Sequence, residues 1–78
     1  MKQYVDVITY IDSEARLRPL VLVWNGRRYS VDHIFSVREL YAADGGCGVR
    51  YLCLIAGRRR SLWWERDRWF VQTEGDNV

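Results

Sequence analysis

The chain has 78 residues, of which 49% are hydrophobic and 28% charged, and its formal net charge is +2. This length supports a single domain that buries only about 60% of its unfolded surface, and the apolar content excludes extended disorder. No apolar run is long enough for a membrane span, and the N-terminus M-K-Q-Y-V-D-V lacks the pattern of a signal peptide. The predicted compartment is the cytoplasm.

A first strand is predicted over residues 2–11, because nearly all of them favour β structure. Asp6 is the polar exception and indicates that its face of the strand is partly solvated. Residues 12–15 are typical of a turn. Pro19 is expected to mark the start of the second strand, where a missing N–H costs little.

A central hairpin is predicted over residues 21–31, where two apolar runs flank Asn25 and Gly26. These two residues suit a type I′ turn, which needs positive φ at both central positions and places Trp24 opposite Arg27. The face expected to point into the core carries Leu20, Leu22, Trp24, Arg27, Tyr29 and Val31. Arg27 either lays its guanidinium on Trp24 or belongs to a basic, aromatic rim that meets an anionic partner.

The hairpin is expected to continue past a bulge at Asp32 and His33, which would direct Phe35 and Val37 into the core. Residues 36–41 are read as strand rather than helix, because six residues are too few for a stable helix. A flexible loop is predicted over residues 42–48.

A further strand is predicted over residues 49–56. It is apolar on both faces, which is typical of the middle of a closed or strongly curved sheet. Residues 57–60 are read as a turn.

The last hairpin is predicted to join residues 61–65 to residues 68–73 around Arg66 and Asp67. Its inward face would carry Leu62, Trp64, Trp69 and Val71. Trp63 and Phe70 are then left on the outer face, where each has roughly 150–250 Å² to bury. Either the N-terminal strand or the loop at residues 42–48 folds over them, or they form an exposed interface.

Together these elements predict an all-β fold, a small antiparallel barrel of five or six strands, SH3-like, with an OB-like barrel as the alternative. The expected organisation is a single barrel domain over residues 1–73 and a flexible tail over residues 74–78.

The residues that carry most enzyme chemistry form no recognisable pattern. His33 beside Asp32 is typical of a surface group, and no Ser or Cys has an evident base partner. Cys47 and Cys53 do not have the spacing of a zinc site, and two free thiols are favoured over a disulfide. The expectation is a protein that is not an enzyme, with no catalytic residues, no metal and no cofactor.

Three segments carry a resemblance: W-N-G-R-R-Y-S-V, G-V-R-Y-L-C-L-I and E-R-D-R-W-F-V. The chain resembles small uncharacterised bacterial domains that share a W-x-G-R-x-Y-x-V hairpin and a closing R-W-F-V strand. Arg66 and Asp67 stand where such domains have a tighter Asp-Gly turn. Some similar domains are encoded near lesion-bypass DNA polymerases, and the resemblance therefore implies a link to DNA repair.

Two functional hypotheses follow from the arginines and the outer aromatics. The basic residues comprise eleven Arg and one Lys, and Arg binds phosphate and carboxylate in a bidentate manner, although a GC-rich genome produces the same bias. The candidate binding residues are Trp63, Phe70, Arg27, Arg28, Arg58, Arg59 and Arg60. The first hypothesis is a protein-interaction or self-associating module with an exposed aromatic patch, and the alternative is a nucleic-acid-binding module. A protein partner or homodimer is favoured, because ten acidic residues dilute the basic ones; no membrane or small-molecule cofactor is expected.

Overall fold

The structure, a computed structural model, describes residues 2–41 and 47–73. It contains six strands: β1 Lys2–Ile11, β2 Leu17–Trp24, β3 Arg27–Tyr41, β4 Cys47–Ile55, β5 Arg58–Glu65 and β6 Arg68–Gln72. Each strand pairs antiparallel with the next, and β6 pairs with β1 to close a barrel. The predicted all-β antiparallel barrel is confirmed, and its size is consistent with the SH3-like or OB-like class. The predicted tail, and residues 42–46 of the predicted loop, lie outside the described residues.

Strands β1 and β3 each take part in two sheets. Residues 2–5 of β1 pair with β6, whereas residues 6–11 pair with β2. In the same way, residues 27–30 of β3 pair with β2 and residues 31–41 pair with β4. The barrel therefore consists of a small sheet of β1, β2 and β3 that continues through β1 and β3 into a larger sheet.

The central hairpin forms as its turn residues predict. Asn25 and Gly26 have φ values of 53° and 76°, as a type I′ turn requires. Trp24 lies opposite Arg27, and the pairing extends to Val21 and Ser30.

The turn between β4 and β5 is tighter than expected. Ala56 and Gly57 form it, with φ values of 52° and 77°. Arg58 already pairs with Ile55, so the prediction of a turn over residues 57–60 is wrong. The three consecutive arginines begin a strand, and their side chains therefore alternate between its two faces.

A bulge in β2 changes which side chains point inward. The register with β1 passes directly from Val21 to Pro19, so Leu20 is an extra residue. Pro19 is buried and Leu20 is 44% exposed. The placement of Leu20 in the core is therefore wrong, because one extra residue reverses the alternation of the strand. The strand also begins at Leu17, before the proline.

Two bulges bend β3. The predicted bulge is confirmed at Asp32, and a second register shift makes Phe35 an extra residue. Ile34 packs against the core, whereas Phe35 and Val37 are exposed. The expected burial of these two side chains is therefore wrong, because the sequence does not reveal the second bulge.

The core lies inside the barrel and receives side chains from all six strands. Its fully buried members are Leu22, Tyr51, Cys53, Ile55, Leu62, Trp69 and Val71. Trp64 packs against them, so the predicted inward face of the last hairpin is confirmed. Burial of each large apolar side chain contributes about 1.5–3 kcal/mol, and this cluster supplies most of the stability that a small barrel can have.

Candidate functional site

The outer aromatics of the last hairpin, Trp63 and Phe70, are buried. Only 6% and 1% of their surfaces are exposed. They lie directly opposite each other across β5 and β6 and stack with ring centroids 5.7 Å apart, at an interplanar angle of 9°. The predicted register is confirmed, whereas the predicted exposed aromatic patch is wrong.

One side of this aromatic pair is covered by the hairpin of β3 and β4. Leu40 packs against the cluster that the two rings form. Gly48, opposite Leu40 in the register, has no Cβ, and a Cβ there would lie only 2.9 Å from the backbone carbonyl oxygen of Trp64, whereas its 3.5 Å distance to Trp63 Cε3 would be an ordinary contact. Glycine at this position thus permits the close approach of the β5 backbone beside the aromatic pair.

The N-terminal strand covers the other ring. Tyr4 makes an edge contact with Phe70 at 6.0 Å between centroids, and Lys2 Nζ lies 4.7 Å from the Phe70 centroid. Lys2 Nζ also donates a hydrogen bond of 3.0 Å to Glu65 Oε1. This bond lowers the pKa of Glu65 and raises that of Lys2. The N-terminal strand therefore covers Phe70, which was one of the alternatives that the sequence left open.

The five candidate arginines come together at one end of the barrel, away from Trp63 and Phe70. They follow the β2–β3 and β4–β5 turns, which lie at the same end because the strand order is sequential. Strand alternation places Arg27, Arg58 and Arg60 on the inner side and Arg28 and Arg59 on the outer side. None of the five forms an ion pair with a carboxylate among residues 2–41 and 47–73.

A cavity of about 380 Å³, which we call the basic mouth, opens between these two turns. Its walls are Trp24, Asn25, Tyr29, Arg58 and Arg60, and its floor is Leu22 and Ile55. The Arg60 guanidinium carbon lies 5.8 Å from the centroid of the Trp24 ring. The arginine stacking expected of Arg27 is therefore supplied by Arg60, from a strand that does not neighbour β2.

A second opening lies where β2 and β3 separate. Their pairing ends at Val21 and Ser30. Beyond this point, among the described strands, residues 17–19 of β2 pair only with β1 and residues 31–41 of β3 pair only with β4. Two strand edges without a neighbouring strand therefore flank one gap, which we call the edge cleft.

The edge cleft is a cavity of about 660 Å³ with a largely apolar lining. The apolar lining residues are Leu17, Pro19, Leu20, Val31, Ile34 and Val37. Tyr51 reaches across from β4, and its hydroxyl donates a hydrogen bond of 2.7 Å to the carbonyl oxygen of Leu17. Burial raises the pKa of Tyr51, so the hydroxyl stays protonated as this donor.

Sequence reasoning did not find the edge cleft, and it did not place Trp24 and Tyr29 beside Arg58 and Arg60. Both features depend on contacts between distant segments. A signal for the cleft was present, because a bulge at Asp32 near the end of a hairpin indicates that the two strands diverge there. The basic mouth has no comparable local signal.

Cys53 is the thiol whose surroundings the structure describes. Cys53 is a free, buried thiol, and burial raises its pKa to about 12, so it is not a nucleophile at neutral pH. Among the described residues, no three His, Cys, Asp or Glu side chains are grouped to hold a metal ion. The described part of the chain also has no helix that could cross a membrane.

The fold defines the class of the protein as a small closed antiparallel β-barrel of six strands. Comparison of the chain with protein-family models, curated proteins and solved structures found no match.

Proposed function

We propose that the protein is a non-enzymatic protein-interaction module whose edge cleft binds an extended segment of a partner polypeptide. The observation that carries this proposal is the pair of unpaired strand edges beside an apolar cavity. A segment added to a free edge gains backbone hydrogen bonds, and a pocket for its alternate side chains provides specificity. The edge cleft takes the place of the binding patch that the sequence predicted at Trp63 and Phe70, because those two rings are buried within the chain.

The partner segment pairs with the second half of β3. The bulges at Asp32 and Phe35 interrupt the first half, and Pro19 removes one donor from β2. Residues 36–41 continue without a register shift and therefore offer a regular edge. An apolar side chain of the partner would then enter the cavity beside Leu20.

Exposed apolar surface at the edge cleft supports this function. Leu20 and Val37 are 44% and 50% exposed, although both line the cavity. A strand edge left open beside apolar side chains is a ready template for pairing with another chain. A covering strand would bury both side chains and satisfy the free backbone groups of β3.

The experiment is selection of binding peptides from a displayed random library, followed by titration and amide hydrogen exchange of the complex. We expect peptides with apolar residues at alternate positions that slow exchange in residues 36–41. Val37→Lys, which puts a charge on the edge, should weaken their binding about tenfold, equivalent to ~1.4 kcal/mol. Tyr10→Lys is the matched control, because Tyr10 is equally exposed but lies on β1.

Sedimentation of the free protein distinguishes a second copy from another partner. A dimer that Val37→Lys dissociates would place the same edge of two chains in one interface. Protection confined to other strands, or equal effects of the two lysine variants, would contradict the proposal. The cytoplasmic compartment and the link to DNA repair stay predictions.

A further inference from the structure

The basic mouth concentrates positive charge without internal compensation. Arg58 and Arg60 line the cavity, and Arg27 lies opposite Trp24 on the same face. No carboxylate is among the residues that line this cavity, and none pairs with these arginines in the described residues. Arginine side chains held close together repel one another, and a bound anion would relieve this repulsion.

The residue types favour phosphate as the anion. Arginine presents a planar fork of donors that matches phosphate oxygens and binds them in a bidentate manner. Leu22 and Ile55 form an apolar floor beneath the arginines, and charge interactions are stronger beside such a surface than in open water.

Aromatic rings alternate with the cations at this end of the barrel. Trp24 and Tyr29 are partly buried in the wall of the mouth. On the outer face, the Arg59 guanidinium carbon lies 4.4 Å from the centroid of the exposed Phe35 ring. Arg28 also lies on the outer face, so cations extend beyond the cavity and exceed what one phosphate would need.

From this arrangement we infer that the basic mouth binds single-stranded nucleic acid. Arg58 and Arg60 contact successive phosphates, and Trp24 and Tyr29 provide surfaces for bases. Arg28 and Arg59 extend the path of the strand onto the outer face. Single-strand binding proteins combine a positive groove with aromatic stacking in this way, and such binding tolerates sequence variation.

The test is fluorescence anisotropy with a labelled oligothymidylate of about 12 nucleotides, at about 50 mM and 200 mM salt. The double variant Arg58→Gln with Arg60→Gln should bind at least about tenfold more weakly. Loss of two phosphate contacts should also flatten the slope of log K against log salt by about 1.4.

The matched control is Arg38→Gln with Arg66→Gln. It changes the net charge equally, but Arg38 lies on β3 beyond the bulges and Arg66 in the β5–β6 turn at the other end of the barrel. This control should keep the salt slope of the wild-type protein. Thermal melts of both variants establish that they are folded, and Arg58→Lys with Arg60→Lys tests the same contacts with the charge retained.

Three results would overturn the inference. These are no binding at about 50 mM salt, equal losses in the two glutamine variants, or competition by inorganic polyphosphate that equals the oligonucleotide per phosphate. The last result would show a general polyanion site with no contribution from bases. The variants of Arg58 and Arg60 change the basic mouth, whereas Val37→Lys changes the edge cleft, so failure of this inference leaves the peptide-binding proposal intact.

Discussion

At the scale of single residues, backbone conformation explains several turns of the barrel. Four non-glycine residues in the described chain have positive φ: Ala15, Asn25, Ala56 and Arg66. Asn tolerates this conformation, whereas Ala and Arg do so at a cost of about 1–2 kcal/mol. The Asn25 turn is therefore the least strained, and the strain at Ala56 and Arg66 is offset by the strands that they join.

Replacement of Gly26 by Val tests this account. Gly26 has a φ of 76°, and a Cβ there would meet no atom within 4 Å, so the expected penalty is conformational and not a clash. We expect a loss of about 1–3 kcal/mol, measured by denaturant unfolding. Gly26→Asn is the control and should lose clearly less, because Asn adopts positive φ more readily. An unchanged stability in Gly26→Val would show that the turn is not needed.

A second prediction at this scale concerns the thiol of Cys53. The thiol is fully buried, and its pKa is raised to about 12, so thiolate is scarce in the native state. In a Cys47→Ser background, we expect a disulfide reagent at pH about 8 to label the native protein only as fast as the chain opens. Labelling should become rapid in denaturant. Rapid labelling without denaturant would contradict the packing around Cys53.

At the scale of elements, the sequence predicted the hairpins better than their burial. Local signals, such as Asn25 with Gly26, specify a turn and hence the register of both strands. The burial of Trp63 and Phe70 depends on Leu40 and Lys2, which come from strands distant in the sequence. No periodic pattern in residues 61–73 contains that information. For the same reason, the sequence identified the arginines as candidate binding residues but did not predict the cavity that Arg58 and Arg60 line.

The two faces of the last hairpin should be equally sensitive to truncation. Loss of one large buried aromatic costs about 3–5 kcal/mol, a large part of the stability of a small domain. We therefore expect the double variant Trp63→Ser with Phe70→Ser to unfold the barrel. We expect the same result for the double variant Trp64→Ser with Trp69→Ser. Circular dichroism melting measures both.

Phe35→Ser is the control for this comparison, because Phe35 is a large aromatic that stays exposed on β3. It should melt close to the wild-type protein. If Trp63→Ser with Phe70→Ser also melted close to the wild-type protein, the burial of these two rings would be contradicted and an exposed aromatic patch would be supported instead.

A side-chain contact between β1 and the end of β5 should make stability depend on pH. Glu65 accepts hydrogen bonds from Lys2 and Tyr4, and the bond from Lys2 holds the pKa of Glu65 below its ordinary value of 4.5. A carboxyl with a lowered folded-state pKa stabilises the protein above its unfolded pKa, and this contribution is lost as pH falls through the folded-state pKa.

Glu65→Gln should therefore lower the melting temperature at neutral pH, and its difference from the wild-type protein should shrink below about pH 4.5. Glu39→Gln, at an exposed position of β3, is the charge-matched control and should show a smaller difference. A difference for Glu65→Gln that stayed constant to low pH would show that its carboxylate charge is not the cause.

At the scale of the whole molecule, the basic mouth and the edge cleft open at different places in the part of the barrel that the structure describes. The basic mouth lies where two turns meet, and the edge cleft lies where β2 and β3 part. The two cavities share no lining residue among those that the structure describes. One barrel therefore presents a cationic surface and a largely apolar one. On the two proposals together, the barrel would hold a nucleic-acid strand and a partner segment at separate surfaces.

The sequential strand order also governs how quickly and in what order the chain folds. Five of the six strand pairings join consecutive strands, and the pairing of β1 with β6 alone joins distant segments. Local hairpins close at small entropic cost, whereas the closing pair must bring the two ends of the barrel together. The hairpins should therefore form before the transition state, and the ring should close after it.

Val5→Ala at the closing pair should accordingly raise the unfolding rate and leave the folding rate nearly unchanged in stopped-flow measurements. Leu22→Ala, inside the central hairpin, should slow folding. Equal slowing by both would place ring closure in the rate-limiting step. A barrel that closes last also opens first, so the kinetic lifetime of the native state rests on the short run of contacts between residues 2–5 and β6.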